Sequence, residues 1–550
     1  MACKRSGVRS PLAPFFYYMQ NFLLSLKTFF KTKLFFFILL TVIAFLLYGK
    51  SINYDFINLD EETLIQNNIE YLSSTKNIPI FFLTSCYFTK TSFYYRPILT
   101  ISFSLESALF GLNKKIYHFT NIILFILSLY LMYLFSLKIN INEQIVKFII
   151  LLFCIHPIFT TLPVWIPGRN DTLATIFIIL SFINFISYIK YHKKLNLFLL
   201  ISFFTLSIFT KESTIFLFIL YPLFLYCFQY KISKKKLFRI YTYLFLIIFI
   251  YLFLRNISVA SIGIQNFFTN YFEHLNNCFF GISNYIYFFF IPNNIPTLFF
   301  NETTSYTHLF IFFLITLALS IFYYKNVNYH KELLFSTVWF LIFLLPTFLQ
   351  KEYVFLTHRL FISSVGFLII LSLFIEKLIK TFPSTKKILI YIFIVIFVLL
   401  FYLSFNFQNI YTNKQTYWQQ AYIDAPKYHL VSYNLANLYL QHENYEKYKE
   451  FMFQAYNLSN GDVHIFNIMP ILIKEGQIDK VKEICFNILQ DKDAKLFHQI
   501  GANSTLGNIY LEKGNLSEAY KYLKTALMLD KHNFDLQNKV KLLETKLNGN

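Results

Sequence analysis

The feature that most constrains this chain is a series of eleven apolar runs in its first three-quarters, each about as long as one membrane crossing. A spanning helix needs about 20 mostly apolar residues. The runs 33–49, 116–137, 145–161, 172–189, 195–210, 213–230, 237–254, 307–324, 332–349, 359–375 and 388–407 approach or meet that length. The expected fold class is therefore all-α, a polytopic membrane helix bundle. Composition agrees: of 550 residues, 56% are hydrophobic and only 14% charged, against about 45–50% and about 25% in a soluble domain. So large an apolar excess excludes a purely soluble, disordered, collagenous or disulfide-stapled protein. A further aromatic stretch, 277–292, is interrupted by Gly281 and bounded by Pro292 and Pro296. It is read as re-entrant or interfacial and kept out of the count.

The net charge of +20 has a membrane explanation. A basic arm, 1–32, precedes the first run, and no small-residue cleavage site follows that run. The positive-inside rule places such an arm in the cytoplasm. Counting crossings from there, the lysine-bearing turns at 138–147, 190–194, 231–239, 325–331 and 377–387 all fall on the cytoplasmic side. With most lysines assigned to orientation, no nucleic-acid partner is expected. The long connections 50–115 and 255–307 then lie on the extracytoplasmic side, where function is expected. The six cysteines form no CxxC pair and read as buried free thiols.

After Phe407 the long apolar runs stop and charged residues with helical periodicity begin. Leu506-Gly507-x-x-Tyr510, then Gly514, Ala519, Leu523 and Ala526, sets small residues where two helices touch and large ones between them. Leu435-Ala436-x-x-Tyr439, Tyr448, Met452 and Ala455 repeat the pattern, and Leu472, Gly476, Val481, Cys485 and Ile488 give a third copy. This resembles the tetratricopeptide repeat family. The chain is thus expected to divide into the arm, a transmembrane domain at 33–411, and an α-solenoid of tetratricopeptide-like helix pairs at 412–550 on the extracytoplasmic side.

Ionisable groups within or beside membrane spans are costly and often functional. On this topology one membrane level of the outer face collects Asp60-Glu61-Glu62, Arg96, His118, His156, Arg169, Asp171, Lys211-Glu212 and His358-Arg359. Singly, each has a bland reading as a loop charge, a helix end or a snorkelling side chain. Jointly they form a candidate site where a membrane lipid meets an aqueous substrate.

The same residues carry a second resemblance. Leu59-Asp60-Glu61 with Asn67-Asn68 resembles the acidic pair in the first outer loop of GT-C type glycosyltransferases. Within that class it is most similar to the transmembrane and tetratricopeptide-repeat-containing proteins and their microbial relatives. Tyr95-Arg96-Pro97, Gly111-Leu112-Asn113 with Tyr117-His118 and Asn121, His156-Pro157 with Trp165 and Gly168-Arg169-Asn170-Asp171, Lys211-Glu212, and His358-Arg359 through Gly366 resemble further family elements in the family's order. Glu61 stands where the family has a second Asp, and His358 where it has Glu. The latter exchanges an acceptor-only carboxylate for a titratable ring.

The resemblance implies a protein O-mannosyltransferase-like enzyme. It would move a mannose-like sugar from a polyprenyl-phosphate-linked donor to a hydroxyl acceptor, a protein, on the outer face. In that reading Asp60 is the general base and Glu61 positions the acceptor or Asp60. Arg96, Arg169 or Arg359 takes the leaving phosphate, because a guanidinium stays protonated and binds phosphate oxygens bidentately. His118, His156, Asp171, Lys211, Glu212 and His358 support them. No metal is expected, and no cofactor beyond the lipid-linked sugar donor. The repeats would present the acceptor protein. The membrane is expected to be a bacterial inner membrane or that of the endoplasmic reticulum. The alternative is a catalytically inactive, membrane-anchored repeat adaptor. A transporter is disfavoured, since the ionisable residues gather at one level instead of at midplane.

Overall fold

A computed structural model describes residues 32–89, 92–259, 271–298, 305–326, 329–348, 355–459, 461, 464–491, 494–530 and 533–547. The basic arm, apart from Thr32, lies outside the described residues, as do 260–270 and 299–304 of the second long connection. Every regular element of more than one residue among the described residues is a helix. The protein is an all-α membrane helix bundle followed by helical repeats, and it separates into two compact units, residues 1–420 and 421–550.

Among the described residues of the first unit, eight helices are long and apolar enough to cross a membrane: Lys33–Asn53, Lys114–Lys138, Ile166–Tyr191, Lys234–Ser258, Tyr306–Lys325, His330–Phe348, Thr357–Thr381 and Lys387–Tyr411. The run expected at 145–161 is a broken pair, Glu143–Ile155 and Pro157–Val164, bent by 63°. The cause is Pro157, which excludes the preceding residue from helical geometry. His156 accordingly takes φ −79°, ψ 127°, and its ring nitrogen accepts the Ile158 N–H that starts the next turn.

The expected count of eleven therefore falls to eight, or nine with the bent pair. The runs at 195–210 and 213–230 form the shorter helices Lys194–Thr210 and Glu212–Cys227. Seventeen residues reach only about 25 Å at ~1.5 Å per residue, short of a ~30 Å hydrocarbon core. The two helices meet at Lys211-Glu212, where the chain is extended at Lys211 and both charges are drawn into ion pairs. The stretch 277–292, kept out of the sequence count, lies largely within a helix, Tyr271–Phe290, which is absent from the membrane-length set. Centrality differs sharply among the long helices: 83% of the apolar 18-residue stretch within Ile166–Tyr191 is buried, against 11% of that within Lys387–Tyr411. Ile166–Tyr191 is thus the axis around which the bundle is built. Its α-helical stretch Arg169–Tyr191 is preceded by Gly168, whose Cβ, if present, would stand 2.8 Å from the Thr161 carbonyl oxygen.

Residues 412–420, expected with the repeats, belong to the first unit. The Asp55 N–H donates to Thr412 O (2.8 Å) and the Trp418 indole to Ile57 O (3.2 Å).

The second unit stacks antiparallel helix pairs: His429–Gln441 with Tyr445–Leu458, Ile465–Lys474 with Ile478–Gln490, and Leu496–Glu512 with Leu516–Leu529, followed by Phe534–Leu547. The small residues sit where the sequence spacing expects them. Ala436, Ala455, Ala519 and Ala526 are fully buried, and a Cβ on Gly507 would strike the Leu523 side chain. The turns of the second and third pairs carry Gly476 and Gly514 at φ +76°, the left-handed conformation that glycine adopts without steric cost. At the corresponding turn of the first pair Glu443 takes φ 59°.

Candidate active site

The site is assembled from helix ends and from the first long connection. Asp60 is the half-buried residue before the short helix Glu61–Leu64. Glu61, 2% exposed, turns inward, and its Oε2 accepts the Leu59 N–H at 3.1 Å. It thereby ties down the turn that carries Asp60. Burial raises the Asp60 carboxyl above the ordinary aspartate range, opposed by a hydrogen bond with Tyr87 and by the charges of Arg96 and Arg359. Burial also pushes Glu61 up to about 8, with the neighbouring Asp60 adding to the rise.

Tyr87 reaches this pair through a hydrogen bond with Asp60, and the Tyr94 ring lies beside that of Tyr87, with centroids 5.9 Å apart. The Cys86 N–H donates to Tyr94 O (3.1 Å), and Ser85 Oγ bridges the N–H and carbonyl of Thr89. Arg96 follows immediately. Because it precedes Pro97 it cannot join the helix Pro97–Phe110, and it sits at φ −137°, ψ 60°. Its guanidinium lies over the Tyr94 ring at 4.4 Å. Glu212 grips it from the junction of the two short helices. One carboxylate oxygen accepts the Tyr95 N–H (3.0 Å) and the other accepts Arg96 Nε (3.1 Å). The Asn170 amide, in the orientation that satisfies its neighbours, donates to Thr210 O (2.8 Å) and accepts from Arg96 Nη1 (3.3 Å).

Successive residues of a helix point about 100° apart, and the first turn of the central helix uses this to serve three partners. Arg169 turns to Glu106, Asn170 to Arg96, and Asp171 to Lys211, whose Nζ lies 2.6 Å from Asp171 Oδ1. His358, half-buried, comes within electrostatic reach of Asp171, Arg359, Lys211 and Arg96, and its ring centroid is 5.0 Å from that of Trp165. Asp60, Arg96, Asp171, Lys211, Glu212, His358 and Arg359, spread over 300 positions of sequence, thus form one cluster with Glu61 at its edge.

Three expected residues stand apart from it. Arg169, a candidate phosphate ligand by sequence, is fully buried, and its donors are occupied by Glu106 Oε2 (2.6 Å), Asn121 Oδ1 (2.8 Å) and Tyr117 O (2.9 Å). It braces the helices instead. His156 stacks on Phe289, with centroids 4.8 Å apart, and its Nε2 pairs with Phe289 O at 2.9 Å. His118 is buried edge-on to Tyr54. Both histidines belong to the scaffold. Sequence reasoning missed Glu106 and Tyr87. Glu106 had a usable signal, as a lone acid inside an apolar helix. Tyr87, one tyrosine among 41, had none.

The cluster pairs a carboxyl raised by burial with cations fixed beside it, an arrangement able to accept a proton while stabilising an anion. Among the described residues, no three His, Cys, Asp or Glu side chains gather as a metal-holding set.

Comparison with known proteins finds short matches. The chain is 37% identical over 91 residues to Protein O-mannosyl-transferase TMTC1 of Homo sapiens, covering 16% of this chain and 10% of that protein. It is 36% identical over 91 residues to the TMTC1 protein of Mus musculus, with the same coverage. It is 39% identical over 90 residues to Protein O-mannosyl-transferase TMTC2 of Homo sapiens, covering 16% of this chain and 11% of the relative. The match therefore spans about a tenth of the length of these relatives. No family model and no solved structure matches.

Proposed function

We propose that this chain is a membrane glycosyltransferase that moves a mannose-like sugar from a polyprenyl-phosphate-linked donor to a hydroxyl of a protein acceptor. The observation that carries this reading is Asp60, raised by burial and flanked by Arg96 and Arg359. Support comes from the short matches to proteins named as O-mannosyl-transferases.

In this mechanism the acceptor hydroxyl attacks the anomeric carbon as the bond from that carbon to the phosphate oxygen breaks. Asp60 takes the hydroxyl proton. Its raised pKa suits it to the task, because a base nearer the working pH gains more from the transfer. The phosphate leaves as an anion. Arg96 meets it already oriented by Glu212, Asn170 and the Tyr94 ring, and Arg359 adds a second charge from the start of its helix. Arg96 and Lys211 each keep a carboxylate partner, so neither is a bare buried cation.

We take the lysine-rich turns to lie on the cytoplasmic side, opposite the cluster, as the positive-inside rule favours. Chemistry on the extracytoplasmic side, in a bacterial inner membrane or the endoplasmic reticulum, follows from that orientation. The repeats of the second unit offer stacked helix pairs of the kind that bind extended peptides, and we assign them acceptor capture.

The test is Asp60→Asn, assayed in membranes for transfer from polyprenyl-phosphate-mannose to protein. Loss of a general base lowers the rate by about 100-fold or more. Unchanged transfer at normal protein level would overturn the assignment and favour the adaptor reading.

A further inference from the structure

The chain has three tryptophans. Trp339 donates its indole N–H to Ile362 O (2.9 Å), and Trp418 donates to Ile57 O (3.2 Å). Trp165 is 6% exposed, yet among the described residues its Nε1 has no hydrogen-bond partner. Buried indole N–H groups ordinarily find one, and leaving one unmade is costly. The position is also rigid. The Trp165 N–H donates to Thr161 O (2.9 Å), and its carbonyl accepts from Asn121 Nδ2 (2.9 Å). Asn121 is itself held by Arg169. The indole abuts His358, which shares its surroundings with Asp171, Lys211 and both cluster arginines.

We propose that Trp165 and His358 form the subsite for the sugar ring of the donor, with Trp165 Nε1 donating to a sugar hydroxyl. A pyranose fits both features of the site. Its hydroxyls accept hydrogen bonds, and its C–H faces pack on aromatic rings whose faces are electron-rich. The location matches the chemistry as well. A sugar joined to a phosphate held by Arg96 and Arg359 has to sit within one ring's length of those arginines, and His358 is adjacent in sequence to Arg359. This inference rests on the reading given under Proposed function and adds to it the residue that recognises the sugar.

The full-length chain is tested for binding of two lipids, polyprenyl-phosphate-mannose and polyprenyl phosphate without sugar. Trp165→Phe keeps the ring and removes the donor. It should weaken the sugar-bearing lipid by about five- to tenfold, the worth of one net hydrogen bond, and leave the bare lipid within about twofold. Equal effects on both lipids, or none, would show that Nε1 is satisfied by solvent and overturn the subsite. If the variant fails to fold, indole fluorescence of the unaltered chain decides. Mannosyl lipid should change the emission beyond the change caused by bare lipid, and identical responses overturn the proposal. Failure of the unaltered chain to bind either lipid sinks the donor reading itself, a result distinct from the loss of sugar selectivity alone.

Discussion

At the scale of single residues, the most informative contrast is between Asp60 and Glu61. In sequence they are one acidic pair, and nothing in their spacing separates their roles. The structure does so through burial. Asp60 is half-buried and faces Arg96, Arg359 and Tyr87, whereas Glu61 is sealed against backbone N–H groups and pushed up to about 8. Burial therefore lets the folded chain hold a proton on Glu61 to a higher pH than an ordinary glutamate would. The sign of the resulting pH dependence follows. The folded chain holds the Glu61 proton to about pH 8, while an unfolded chain releases it near the ordinary value of 4.5. Between those values the folded state binds more protons, so Glu61's contribution to stability is complete at acid pH and is lost as pH rises through that window. The slope is at most about 1.4 kcal/mol per pH unit. Melting of the purified protein, measured from pH 5 to 9, should decline with pH, and Glu61→Gln should flatten the decline. Superimposable slopes for the two proteins would show that Glu61 titrates normally.

At the scale of elements, the Arg169–Glu106 pair does what a membrane bundle cannot obtain from apolar packing alone. It fixes the register of three helices, Pro97–Phe110, Lys114–Lys138 and Arg169–Tyr191, at one point. The guanidinium also lies over the rings of Phe103 (4.6 Å) and Tyr117 (5.7 Å), so its flat faces are covered as well as its edges. Removing one member of a buried pair strands the other and costs about 3–5 kcal/mol, while replacing both by apolar groups is often near neutral. Arg169→Met should lower the melting temperature strongly, and Glu106→Leu added to it should recover part of the loss. A single variant that melts normally but loses donor binding would return Arg169 to the phosphate site. This pair marks where the sequence stops being legible. Helices could be read from apolar runs, and the Pro157 bend from one residue. Which charges meet depends on how deep each helix end sits, and the partners lie 40, 63 and 116 positions apart in sequence. For the same reason the runs at 195–210 and 213–230 looked like ordinary crossings. Their shortening becomes intelligible only once Lys211 and Glu212 are seen bonded to Asp171 and Arg96.

At the scale of the whole molecule, composition changes after Phe407, whereas the second compact unit begins at Ala421. Residues 408–418 are polar enough to read as the start of the repeats, yet they hold the first connection in place. Gln408 Nε2 donates to Leu47 O (2.8 Å), Lys50 Nζ to Asn409 Oδ1 (2.7 Å), the Asp55 N–H to Thr412 O (2.8 Å) and Trp418 Nε1 to Ile57 O (3.2 Å). Ile57 is three residues from Asp60, so this ladder is the local support of the proposed base. Two truncations then separate the functions of the units. A chain ending at Gln420 keeps the ladder and should still bind polyprenyl-phosphate-mannose and transfer to a small hydroxyl acceptor, while losing transfer to protein acceptors. A chain ending at Tyr411 lacks Thr412 and Trp418. It should lose transfer to either acceptor, because two of the four bonds that hold the stretch before Asp60 are gone. Equal activity of the two truncations toward the small acceptor would show that the ladder does not support Asp60. Full protein transfer by the chain ending at Gln420 would remove the repeats from acceptor recognition.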